Sequence, residues 1–119
     1  MTPESLGAIR AATARNRALV SPVSAWEIGL LARARRRDLE FRPSPSEWFA
    51  RVLEVPGIRL TPLTPEAAIG SSFLPGEFHR DPADRMLIAT ARMLNVPIVT
   101  RDTEILAYAA QGHVEAIAC

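Results

Sequence analysis

The residues His79-Arg80-Asp81-Pro82-Ala83-Asp84-Arg85-Met86-Leu87-Ile88-Ala89-Thr90-Ala91, followed shortly by Pro97-Ile98-Val99-Thr100-Arg101-Asp102, decide the fold. They read as a helix start, an apolar helix, a buried strand and a carboxylate where that strand ends. Asp81 suits the helix cap, and Pro82 suits the first turn, where the N–H it lacks would have had no partner. Leu87, Ile88, Ala91 and Leu94 then fall on one helical face. Asn95 closes the helix, and residues 96–100 form a short apolar run suited to a strand covered on both faces. In open parallel sheets, ligands gather outside the carboxyl ends of the strands, where Asp102 is expected beside the next helix N-terminus.

Outward from this stretch, strands and helices alternate. Thr2-Pro3-Glu4 starts a first helix with Leu6, Ile9 and Ala12 on its apolar face. Ala18-Leu19-Val20 reads as a strand stopped by Ser21-Pro22. Ser24-Ala25-Trp26-Glu27 opens a second helix, with Ile28, Leu31 and Ala32 inward and Arg33, Arg35, Arg36 and Arg37 at its far end. Cations there complement the helix dipole, so the cluster reads as a solvated helix end. A polar connector over 38–43 leads to Ser44-Pro45-Ser46-Glu47, the start of a third helix with Trp48, Phe49, Val52 and Leu53 inward. Pro56-Gly57 turns the chain into a strand at 58–61, and Thr64-Pro65-Glu66 starts a fourth helix that ends before Leu74-Pro75-Gly76. Beyond Asp102, a sixth helix runs to Ala109, and a last strand is predicted over 113–117. The pattern predicts an α/β sandwich with a mainly parallel central sheet flanked by helices, and no strand precedes the first helix.

Composition bounds the function. The 119 residues are 48% hydrophobic and 23% charged, which reads as one globular domain spanning 1–119 and is too apolar for disorder. A net charge of +1 gives no bulk electrostatic argument for nucleic acid. The single cysteine, Cys119, excludes an internal disulfide framework and suits a reducing cytoplasm. No apolar run approaches the ~18 residues needed to span a bilayer, and no signal peptide is read at the start.

Glu27, Asp84 and Asp102 each follow a predicted strand or open a helix, and Asp81 lies one turn before Asp84. Each has a plain structural role available. Ser24 and Glu27 have capping-box spacing, as do Asp81 and Asp84, and Asp102 suits the cap of the last helix. Ser44 to Glu47 is the same local motif with nothing to suggest catalysis. Capping does not require that three such acids share one edge of a sheet, however, and the pattern places their carboxylates in one pocket there. Like charges brought together call for a cation, and hard oxygen ligands suit Mg²⁺ or Mn²⁺. The chain has no phosphate-binding glycine loop, zinc-spaced Cys/His set or serine nucleophile elbow. His79 and His113 carry no ligand spacing, and Trp26 and Trp48 read as core.

Ser21 to Ile28, Leu60-Thr61-Pro62-Leu63-Thr64, the span from Leu74-Pro75-Gly76 to Ala91, and Ile98 to Asp102 resemble, in this order, the PIN-domain VapC toxins. The resemblance implies a PIN-like three-layer sandwich and a metal-dependent endoribonuclease of a toxin–antitoxin pair, held inactive by a VapB-like antitoxin. It matches Glu27, Asp84 and Asp102 to metal-site acids, and Asp81 to an accessory position beside them. By the same resemblance, a metal-activated water attacks an RNA phosphodiester in line, with Thr100 either orienting a ligand near Asp102 or only ending the strand. The family's opening strand, with its own metal-binding Asp, has no counterpart here. The first strand is therefore expected to be missing, leaving an exposed apolar groove or a homodimer that covers it. The alternative is a non-catalytic PIN-like module that binds an antitoxin or dimerises around an incomplete metal site. A phosphatase-like hydrolase is disfavoured, since no nucleophilic Asp motif ends an early strand.

Overall fold

The computed structural model describes residues 1–34, 40–78 and 81–119. Arg35, Arg36 and Arg37 of the expected helix-end cluster lie outside the described residues, as do His79 and Arg80. The chain divides into two compact units, one formed by Met1–Arg10 with Leu63–Cys119 and the other by Ala11–Pro62. Helices alternate with short parallel strands in the expected order, as in a PIN-like α/β fold. The pairing comes as two two-stranded sheets, one in each unit.

In the unit Ala11–Pro62, β1 (Ala18–Val20) pairs in parallel with β2 (Ile58–Leu60), Leu19 standing opposite Arg59. Helix α1 (Pro3–Ala14) contributes its last residues here, and α2 (Pro22–Arg33) and α3 (Pro45–Glu54) complete the unit. Helix α2 begins at Pro22, not at Ser24. Ser21 is its N-cap and accepts from the Val23 N–H at 3.1 Å. The Ser24–Glu27 spacing is therefore not a helix start; the preset φ of Pro22, one residue after a serine, is the stronger signal. Helix α3 starts as expected, Ser44 Oγ accepting from the Glu47 N–H at 3.2 Å. Trp48 is half-buried and meets Phe41 edge-on at 4.9 Å. Trp26, expected in the core, is 49% exposed and shares that exposure with Leu30 one turn on. Gly57 turns the chain at φ +89, and a Cβ there would lie 2.3 Å from the Thr13 carbonyl oxygen.

In the other unit, β3 (Ile98–Thr100) pairs in parallel with β4 (Ala116–Ala118). Helix α4 (Pro65–Gly70) passes into a 3-10 turn at Ser71–Phe73, and α5 (Pro82–Leu94) and α6 (Thr103–Ala110) follow. Thr2 fastens the chain start to β4, its hydroxyl donating to the Ala118 carbonyl at 2.8 Å. Ile88, Ala91, Ile105, Tyr108 and Val114 form the core, with Leu74, Phe78, Val96, Ile98 and Ala109 packed on it. Leu94, expected on the same face as Ile88, is instead exposed. Asn95 ends α5 in the left-handed conformation at φ 54, which asparagine tolerates well. The last strand starts at Ala116, not at His113, because Val114 turns into the core and the His113 ring lies 4.8 Å from that of Tyr108.

The Tyr108 hydroxyl donates to the Pro75 carbonyl, and its ring meets Phe78 edge-on. Burial pushes the phenol above the usual tyrosine range, against the opposing pull of Arg92 and Arg85. The folded state thus favours the neutral phenol. That contribution is fully present below the unfolded value of about 10 and is lost as pH rises through the raised folded value. Tyr108→Phe is expected to cost about 1 kcal/mol near neutral pH, through the unsatisfied Pro75 carbonyl. It is also expected to flatten the loss of stability above about pH 10. Urea unfolding of both proteins across that range measures it, and equal alkaline slopes would contradict the assignment.

Candidate functional site

Two helix starts build the site. At the first, Asp81 is the N-cap of α5 and its Oδ1 accepts from the Ala83 N–H at 2.9 Å, with Pro82 in the first turn. Asp84 follows in that turn, half-buried. Arg85 ties the helix start to the preceding segment, donating from Nε to the Ser71 carbonyl at 2.8 Å and from Nη1 to the Phe78 carbonyl at 3.3 Å. At the second start, β3 ends at Thr100, whose Oγ1 accepts from the Asp102 N–H at 3.0 Å. Asp102 Oδ1 in turn accepts from the N–H groups of Glu104 at 2.8 Å and Ile105 at 3.1 Å, and so caps α6.

Both starts open on one shallow concavity of about 510 Å³, lined by Asp81, Asp84, Arg101, Asp102, Thr103 and Glu104. Three of the four acids expected from the sequence, Asp81, Asp84 and Asp102, thus come together just past the carboxyl end of β3. Glu104 and Arg101 were not singled out by the sequence. Their signal was available: Glu104 is an acid in the first turn of a helix, and Arg101 directly precedes a cap. Glu27 belongs to the other unit, where it sits in the second turn of α2 with its Oε1 atom buried. A larger concavity, about 850 Å³, lies beside the amino ends of β3 and β4. Among the described residues, its one carboxylate is Glu115, and its Arg92 donates to the His113 carbonyl.

Residues 3–111 match the family model of the PIN domain. The chain belongs to the PIN domain family. No curated protein and no solved structure matches it. PIN domains generally use divalent metal ions, and the acids at this edge are the donors such ions prefer. Among the described residues, no group of three or more Asp, Glu, His or Cys side chains is arranged to hold a metal ion. Asp81 and Asp102 each already direct an oxygen to backbone N–H groups. The structural role of these acids is therefore visible in the geometry, and a closed ligand set is not. Among the described residues, no helix is long and apolar enough to cross a membrane.

Capping makes a measurable demand on Asp102. Asp102→Ala is expected to lower stability by about 1 kcal/mol, because two N–H groups lose their acceptor. Asp102→Asn keeps an oxygen and is expected to cost only a few tenths. Thermal or urea unfolding separates the two, and an Asp102→Ala protein as stable as the parent would show that the cap contributes nothing.

Proposed function

We propose that this chain is the toxin of a toxin–antitoxin pair, a VapC-type PIN domain that hydrolyses RNA phosphodiester bonds with Mg²⁺ or Mn²⁺. The reading is supported by one observation above all: Asp81, Asp84, Asp102 and Glu104 line a single concavity just past β3, in a PIN-domain chain. Capping alone would be satisfied by acids at separate places. Asp84 is the acid on which the reading leans most, since it lines the concavity half-buried in the first turn of α5, at the centre of the motif. Glu27 joins the reading through the sequence resemblance only.

A second reading is a non-catalytic PIN module that binds a VapB-like antitoxin or forms a homodimer. It is favoured by the lack, among the described residues, of a group able to hold a metal ion. Both readings place the protein in the cytoplasm, in keeping with its lone cysteine.

Labelled single-stranded RNA, incubated with the protein in Mn²⁺, in Mg²⁺ and in EDTA, separates them. Slow cleavage that needs the metal is expected, with Asp84→Asn reducing it on the order of a hundredfold while circular dichroism stays unchanged. Glu27→Gln is expected to reduce it as well. Cleavage that continues in EDTA, or in Asp84→Asn, would overturn the metal-dependent reading. No cleavage by the intact chain, together with a stable dimer or a bound antitoxin, would establish the second one.

A further inference from the structure

Among the described residues, Arg101 is the one cationic side chain lining the acidic concavity. Four carboxylates line the same walls, yet among the described residues the guanidinium joins none of them in an ion pair and stands exposed. Its backbone is held on both sides. The Thr100 hydroxyl accepts from the Asp102 N–H immediately after it, and Asp102 is anchored in turn to the first turn of α6. A cation fixed at its root and left open at its tip is arranged to meet something that arrives from solution.

The chemistry of that arrival follows from the charge. Walls bearing Asp81, Asp84, Asp102 and Glu104 repel a polyanion, so an RNA strand entering here needs a cation to offset them. A guanidinium presents a planar fork of donors that matches two phosphate oxygens at once, which an ammonium does not. We propose that Arg101 grips the backbone phosphate of a single-stranded RNA at this concavity and sets the strand against the acidic wall. The proposal rests on the ribonuclease reading above, and adds to it the residue that holds the substrate. It does not depend on the acids forming a metal site, because the grip is made by the guanidinium alone.

Fluorescence anisotropy of a labelled single-stranded RNA, titrated with the full chain in EDTA at several salt concentrations, tests it. Arg101→Gln is expected to weaken binding roughly tenfold at low salt and to reduce the salt slope by about 0.7, the loss of one phosphate contact on a single strand. Arg101→Lys should recover the slope and part of the affinity, which a merely structural role would not produce. Arg10→Gln, which removes the same charge from α1 outside the concavity, should leave both unchanged. If the chain binds RNA but Arg101→Gln binds it with the same affinity and slope, the assignment of Arg101 fails and the ribonuclease reading stands. Equal losses in Arg101→Gln and Arg10→Gln would also overturn it, since net charge would then explain the effect. If the intact chain binds no RNA in EDTA, the assignment of Arg101 falls, and the ribonuclease reading is decided separately by cleavage with metal.

Discussion

The start of a helix leaves backbone N–H groups that need an acceptor, and in this chain aspartate supplies it at both helices next to β3. Much of the site follows from that demand. Asp81 stops the incoming loop and lets α5 begin at Pro82; Asp102 does the same for α6 directly after β3. Each cap also places a negative charge near the positive end of a helix dipole, where it is stabilised. Two helices starting near one strand end therefore concentrate acid there before any ligand is considered. The buried stripe of α5 through Ile88 and Ala91, packed with Ile105 and Tyr108 of α6, holds those two starts in place.

The same demand orients these carboxylates. A carboxylate that accepts one or two N–H bonds through Oδ1 has its direction set by the helix, and these caps do not use its Oδ2. Among the described residues, the edge is rich in acid without a closed ligand set. Asp84 is placed differently. It stands inside the first turn, where the helix dipole favours an acid, with Asp81 serving as the cap.

Around the site, polar side chains fix the segments that lead into it. Arg85 binds the Ser71 and Phe78 carbonyls, and the Tyr108 hydroxyl binds that of Pro75, so the segment before α5 is tied down from two helices. Gly76, at φ +67, lies against the His113 ring with no room for a Cβ, so the segment passes close to the core at the one residue type that allows it. These contacts hold the described part of the segment, up to Phe78, against the core.

The local signals were legible in the sequence because they act within a few residues. Ser44, Thr64, Asp81 and Asp102 were readable as helix starts, and each is the N-cap observed. Ala18-Leu19-Val20 was readable as a strand, and the alternation of helix and strand as an α/β fold with parallel pairing. The start of α2 was misplaced by a competing signal of the same short range, Ser24 and Glu27 against Ser21-Pro22. What spacing along the chain does not carry is which side chains meet after the chain returns. The exposure of Trp26, the burial of Val114 and Ser5, and the company of Glu104 and Arg101 in the acidic concavity depend on packing between distant segments. The sequence by itself determined where helices begin and which residues are acids; tertiary structure decided which of those acids share a wall and whether their oxygens already serve the backbone. Capping is a local bond between near neighbours, whereas convergence is set by the burial of apolar faces that lie far apart in the chain.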